Sequence, residues 1–236
     1  MILYDGPSMF DGKPILAIAT GLAAPSSNRK TGPMIQVWIL PKNGKPTDSI
    51  KSGADESVCG DCPARGMWCY VNVGQAPNQI YRTWQRGGYQ PSSIPLLTGR
   101  AIRLGAWGDP AALPFDICKE IVEASCLHTG YTHAWRYCDQ QYAEILMASC
   151  DTAEEGYQAR AMGWRTFRVK QEDEERFQWE ASCPASKENS KIQCIDCGAC
   201  NGNWRGYNGN VVINAHGSTA SRYQEFITQN SPPMAA

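Results

Sequence analysis

Apolar residues in this chain fall in short runs separated by polar turns. The run MIQVWIL, Met34 to Leu40, is rich in β-forming residues and predicts a buried strand. AIRLGAWGDP, Ala101 to Pro110, predicts a strand that ends in a Gly-Asp-Pro turn. YTHAWRY, LMASCD, WRTFRVK, WEASCP and NVVINAH predict further strands. Helical patterns lie between them. APNQIYRTWQRGG is stopped by Gly87 and Gly88. FDICKEIVEASCLHTG places Cys118, Ile121, Val122 and Ser125 on one helical face and runs to Gly130. DQQYAEI predicts a short helix, and TAEEGYQARAMG a longer one capped by Asp151 or Thr152. A last helix covers Ser218 to Thr228, before the tail SPPMAA. Residues 1 to 33 are mixed, and PKNGKPTDSIKSGADES reads as a polar loop.

Strands alternating with helices predict βαβ units and a parallel sheet of about six strands. The expected fold class is α/β. We expect a partial (β/α) barrel as a single domain over residues 1–236, with an open doubly wound sheet as the alternative. Residues 183–216 form a cysteine-rich segment within that domain. The 236 residues suffice for one full core. A net charge of −1, from 22 basic and 23 acidic residues, gives no general pull toward nucleic acid or anionic membrane. No apolar run is long enough for a transmembrane helix. The N-terminus lacks the basic-then-apolar pattern of a signal peptide, so a reducing, cytoplasmic setting is expected.

Cysteine changes this picture most. The chain has 11, an odd number that no complete set of disulfides accommodates. Seven of them cluster. Cys194, Cys197 and Cys200 form a C-x-x-C-x-x-C run among Asp, Gly and Asn. That spacing wraps three corners of an iron–sulfur cube, and a remote cysteine beside a proline supplies the fourth. Cys183, followed by Pro184, suits that place. Zinc is the alternative metal, although the middle cysteine would then serve two C-x-x-C pairs. The other group is Cys59, Cys62 and Cys69, in CGDCPARGMWCY. Three thiolates leave one iron of a [4Fe–4S] cluster without a protein ligand, open to a small molecule. One or two clusters are therefore expected. Purely structural metal for all seven stays open.

The first cysteine loop, closing on Cys69–Tyr70 after a strand, resembles the cluster loop of radical S-adenosylmethionine (SAM) enzymes. Its spacing, C-x-x-C-x-x-x-x-x-x-C, departs from the usual C-x-x-x-C-x-x-C. The chain is also similar to a family of bacteriophage proteins, the gene-product-88-like group, for which no activity is established. That similarity lies in CGDCP…CYVNVGQAP, RLGAWGDPAALP, TGYTHAWR, GWRTFRV and CPAS…C-x-x-C-x-x-C, and covers most of residues 30 to 216. The radical SAM resemblance implies a [4Fe–4S] cluster on Cys59, Cys62 and Cys69, with the SAM amino and carboxylate groups on its free iron. Gly108-Asp109-Pro110 resembles, in place, the glycine-rich segment that holds the SAM amino group. The phage resemblance implies the cytoplasm of an infected host.

Several strands carry charge: Arg103, His133 and Arg136, Arg165 and Arg168. Buried arginines need partners, so a polar pocket holding a carboxylate or phosphate is one expectation, with Arg103 and His133 as candidates. Strand-end ion pairs are the other. His128 reads as a helix-end or surface residue, and His216 as a strand-end residue able to line a site. Cys118, Cys126 and Cys138 read as packing residues. Cys150 sits where a site thiol could lie. Three functions follow from these readings. The first is a radical SAM-like enzyme acting with an electron donor on an unknown small-molecule or macromolecular substrate. The second is a metal-stabilised binding protein whose long loops, 41 to 58 and 184 to 210, are knitted by metal; there NWRGYNGN is a weak candidate for stacking on bases. The third is simple electron transfer.

Overall fold

The computed structural model describes residues 1–186, 190–206, 209–216 and 220–230. It is a mixed α/β structure with two parallel-rich sheets. Strands β1 (Ile2–Pro7), β2 (Pro14–Thr20), β3 (Ile35–Pro41), β4 (Ala101–Trp107) and β5 (Leu127–Thr129) form the first sheet in that order. The first three pair antiparallel, and β3, β4 and β5 pair parallel. Strands β6 (Tyr131–Thr132), β7 (Met147–Cys150), β8 (Thr166–Lys170), β9 (Glu180–Ser182) and β10 (Asn210–Asn214) form the second. Its order is β6-β7-β8-β10-β9, parallel throughout.

Gly130 alone separates β5 from β6, so one chain segment supplies an edge strand to each sheet. A side chain at this pivot would come within 2.5 Å of Leu146 and 3.2 Å of Leu104, which is why the bend sits on glycine.

The hairpin β1–β2 lies in residues read from sequence as mixed. Ile15 to Ala19 are all fully buried, so β2 has no polar face to give an alternating signal. Among the described residues there are ten strands, not about six. The polar loop read at 41–57 contains two short helices, α1 (Pro46–Ser52) and α2 (Glu56–Cys59). Helix α3 (Ala76–Gln85) falls where the pattern puts it. Helix α4 (Phe115–Ala124) buries Cys118, Ile121 and Val122, but ends well before Gly130. Ser125 turns extended and donates its hydroxyl to the Val122 carbonyl at 2.7 Å, freeing Leu127–Thr129 to become β5. Only the start of YTHAWRY is strand; Ala134–Arg136 is a 3₁₀ turn, as is Gln140–Glu144. Helix α5 (Ala153–Ala161) is capped by Thr152, whose hydroxyl accepts from the Glu155 amide at 3.2 Å. A four-residue helix, α6 (Cys194–Cys197), and α7 (Ala220–Asn230) complete the elements. Of the expected last helix, residues 218 and 219 lie outside the described residues.

Of the two expectations for the strand arginines, a ligand pocket or partners within the fold, Arg165 and Arg168 follow the second. Arg168 is fully buried and pairs with Glu180 and Glu174. Arg165 donates to backbone carbonyls of Gly209, Gly202 and Ala199 and to Asn201, tying these residues to the start of β8. Arg136 pairs with Glu155 at 2.9 Å near the surface.

His128 is not a surface residue. It lies on β5, 1% exposed, with Nε2 donating to the Ile145 carbonyl at 3.0 Å. Burial pushes its pKa down from 6.5 to about 4. The unfolded chain therefore takes up a proton that the folded chain refuses. This stability is fully present above about pH 6.5 and is lost as pH falls toward 4, up to about 3 kcal/mol in all. Urea unfolding at pH 7.5 and 4.5 should show that His128→Gln, which keeps a donor for Ile145, flattens this part of the acid sensitivity. An unchanged difference between the two pH values would refute it.

Candidate functional site

Residue parity decides what the parallel strands offer. Alternate side chains face opposite sides of a strand. Arg103, Gly105 and Trp107 on β4, Thr129 and Tyr131 across the pivot, Ser149 on β7, Phe167 and Val169 on β8, and Ile213 on β10 all face one cavity of about 520 Å³. His133 and Asp151, just past the carboxyl ends of β6 and β7, face it too. The even-numbered neighbours Arg168 and Cys150 point the other way. Cys150 is fully buried and is not among the cavity's lining residues.

Cys59, Cys62 and Cys69 line the same cavity. Cys59 closes α2, the Cys62 amide donates to the Cys59 carbonyl at 3.2 Å, and the Cys69 amide to Ala64 at 3.0 Å. Arg65 grips this loop, with Nε and a terminal nitrogen each 3.1 Å from the Asp55 carboxylate and another on the Gly60 carbonyl at 2.6 Å. All eleven cysteines are free thiols. Burial pushes the Cys59 thiol well up, and neighbouring Cys62, Asp55, Cys69 and Asp109 push it further. Burial raises Cys69 as well. Three free thiols on one loop, all lining one cavity, are donors of the type a metal cluster takes.

Gly108 has φ +82°, and a side chain there would meet the Ile39 carbonyl at 2.5 Å. It lets β4 turn sharply beside β3. Asp109 behind it is buried and already engaged. Oδ1 accepts from the Ala111 amide at 2.9 Å; Oδ2 accepts from the Thr132 hydroxyl at 3.0 Å and the His133 amide at 2.8 Å. Its own amide donates to Val58, in α2, at 2.6 Å. Asp109 thus ties β4 to β6 and to the first cysteine loop. Pro110 is buried, starts a 3₁₀ turn and is not among the cavity's lining residues.

Asp151 is the buried carboxylate on the cavity wall that sequence reading missed. His133 Nε2 lies 3.3 Å from Asp151 Oδ2, an ion-pair distance without hydrogen-bond alignment. Burial alone disfavours the His133 imidazolium, but Asp151 and Cys62 outweigh it and hold its pKa well above the usual histidine value. Among the described residues, the buried side-chain polar atoms without a hydrogen-bond partner are Trp68 Nε1, His133 Nε2 and both Asp151 oxygens. All belong to the wall of this one cavity. Buried polar atoms are normally satisfied, so a cavity that collects the exceptions is shaped for a ligand. Asp151 was legible only as a candidate helix cap, because its role depends on the strand before it.

The second cysteine group forms its own enclosure. Cys183, Cys194, Cys197 and Cys200 all line a small pocket of about 20 Å³ beside the large cavity. Each is anchored apart. The Cys183 amide donates to Val212 at 2.9 Å, the Cys194 amide to Lys30 at 2.8 Å, and the Gly130 amide to the Cys200 carbonyl at 3.1 Å. Gln193 and Asp196 cap α6 reciprocally. Burial pushes the Cys200 thiol up to about 12. Among the described residues no three His, Cys, Asp or Glu side chains close on a single metal ion.

The remaining candidates sit elsewhere. Cys118 is buried, Cys138 half-buried, and Cys126 is exposed rather than packed. His216 is exposed at the cavity rim. In the candidate base-stacking stretch, Trp204 packs edge-on against His128 at 5.9 Å, while residues 207 and 208 lie outside the described residues. Among the described residues no helix is long and apolar enough to cross a membrane. No family model, curated protein or solved structure matches the chain.

Proposed function

We propose that this is an iron–sulfur protein of radical SAM type, built as a partial (β/α) barrel from β3 to β10. Cys59, Cys62 and Cys69 are its ligands for a [4Fe–4S] cluster. The observation that carries the reading is the set of buried polar atoms without a hydrogen bond on Trp68, His133 and Asp151, the last two an ion pair, which share one cavity with those three free thiols. When bound, cluster and SAM supply one-electron reductive cleavage of SAM, driven by an external low-potential donor, to methionine and a carbon radical that removes hydrogen from a substrate. The chain's own residues bind and orient. Asp151 offers carboxylate oxygens for the SAM ammonium group, and His133 holds that carboxylate in place. Asp109, engaged as it is, positions the loop rather than meeting the ligand. Trp68 packs edge-on against Tyr223 at 5.0 Å, and the Tyr223 hydroxyl donates to the Asp151 carbonyl at 2.8 Å; this pair walls the cavity from water.

Anaerobic protein reduced with dithionite in the presence of SAM should release 5′-deoxyadenosine, and Asp151→Asn should weaken SAM binding at least tenfold while keeping its iron. Two reversible redox couples with no response to SAM would make this an electron-transfer protein instead. Stoichiometric zinc without sulfide would make the metal structural.

A further inference from the structure

Two cations face the space between the cysteine groups without a carboxylate to answer them. Arg103 is only 8% exposed, and its hydrogen bond goes to the Tyr70 hydroxyl. Lys30 Nζ meets His216 Nε2. The other ring nitrogen, Nδ1, lies 2.9 Å from the Asn214 carbonyl and donates to it. Among the described residues no Asp or Glu lies within ion-pair distance of Arg103 or Lys30. Both cations instead line the large cavity together with Cys183 and Cys194, and the Lys30 carbonyl accepts from the Cys194 amide at 2.8 Å. A buried guanidinium is costly unless something negative offsets it. Four neutral thiols do not. Four thiolates around a [4Fe–4S] core carry about two net negative charges, which two cations balance.

We propose that Cys183, Cys194, Cys197 and Cys200 hold a second, fully thiolate-ligated [4Fe–4S] cluster, with Arg103 and Lys30 as its counter-charges. The four cysteines line one pocket, and Cys183 and Cys194 also line the large cavity. Arg103 therefore shares one cavity with residues of both groups, its guanidinium bonded to Tyr70, the residue next to Cys69, and Cys194 on the same wall. The run of three cysteines two residues apart, with a remote Cys-Pro, favours the iron–sulfur cube over zinc. This site needs no SAM chemistry and stands apart from the reading of the first.

The test counts iron and sulfide in anaerobically purified full-length protein. Wild type should hold about eight of each, and C59A/C62A/C69A about four. C194A/C197A/C200A should also keep about four, all at the first site. Arg103→Gln should keep its iron and move one of the two midpoint potentials to a more negative value, because lost positive charge makes the added electron less welcome. An iron-free C59A/C62A/C69A protein that is still folded overturns the proposal while leaving the first site standing. Iron lost only from the second-group variant does the reverse. Should either triple variant fail to fold, the wild-type Mössbauer and iron count decide between one cluster and two. One equivalent of zinc in place of the second cluster, or an Arg103→Gln protein with both potentials unmoved, also overturns it.

Discussion

Arg168→Met is expected to cost about 3–5 kcal/mol of folding stability. Arg168 and Glu180 side chains are both 0% exposed, and they meet through two parallel bonds of 2.8 Å. Glu174 adds a second carboxylate, and the guanidinium lies 4.6 Å from the centre of the Phe177 ring. Removing the arginine strands the Glu180 charge where water cannot reach it. Removing both partners does not, so Arg168→Met with Glu180→Met should recover most of the loss. Glu180 opens β9, which leads directly to Cys183. The single variant should therefore also loosen the second cysteine group, seen as faster hydrogen exchange over residues 180–183. Urea unfolding of the two variants decides the matter; a single-variant loss below about 1 kcal/mol would falsify the assignment.

The second large effect is expected at Asp109. Asp109→Ala leaves the Thr132 hydroxyl and the amides of Ala111 and His133 without their acceptor. At about 1–3 kcal/mol for each abandoned buried donor, a loss of at least 3 kcal/mol follows. The consequence reaches further than stability, because this carboxylate joins the end of β4 to the segment carrying His133. Iron loading at Cys59, Cys62 and Cys69 should fall with it, while the second group keeps its iron. Asp109→Asn keeps one carbonyl oxygen and should fall between. Normal stability in Asp109→Ala would show that water replaces the carboxylate, and the positioning role would go.

Much of the scaffold is legible in local pattern. Apolar runs mark β3 and β4, and the Gly-Gly stop marks the end of α3. The buried face of α4 is as the helical period predicts, since Cys118, Ile121 and Val122 are buried. Its end is not, because Ser125 leaves the helix only where Leu127 can join β4. The β1–β2 hairpin escaped notice because β1 is only partly buried and β2, PILAIAT, has fewer of the β-branched and aromatic residues that mark β3. His128 was misplaced for the same reason as the helix end: its burial comes from β5, which sequence read as helix.

By itself the sequence determined the alternating strands and helices, the two groups of closely spaced thiols and the polar residues spread among the strands. Spacing, period and turn chemistry are local, and local rules suffice for them. Only the tertiary structure decided which polar residues face inward. Arg103 and Asp151 face the cavity while Arg168 and Cys150 turn away, a difference of one position along a strand. It also brought Cys183, which its Cys-Pro pair already marks as the fourth member, into one pocket with the others. Side-chain direction depends on register, register depends on which strands pair, and pairing depends on contacts between distant residues that no local pattern contains.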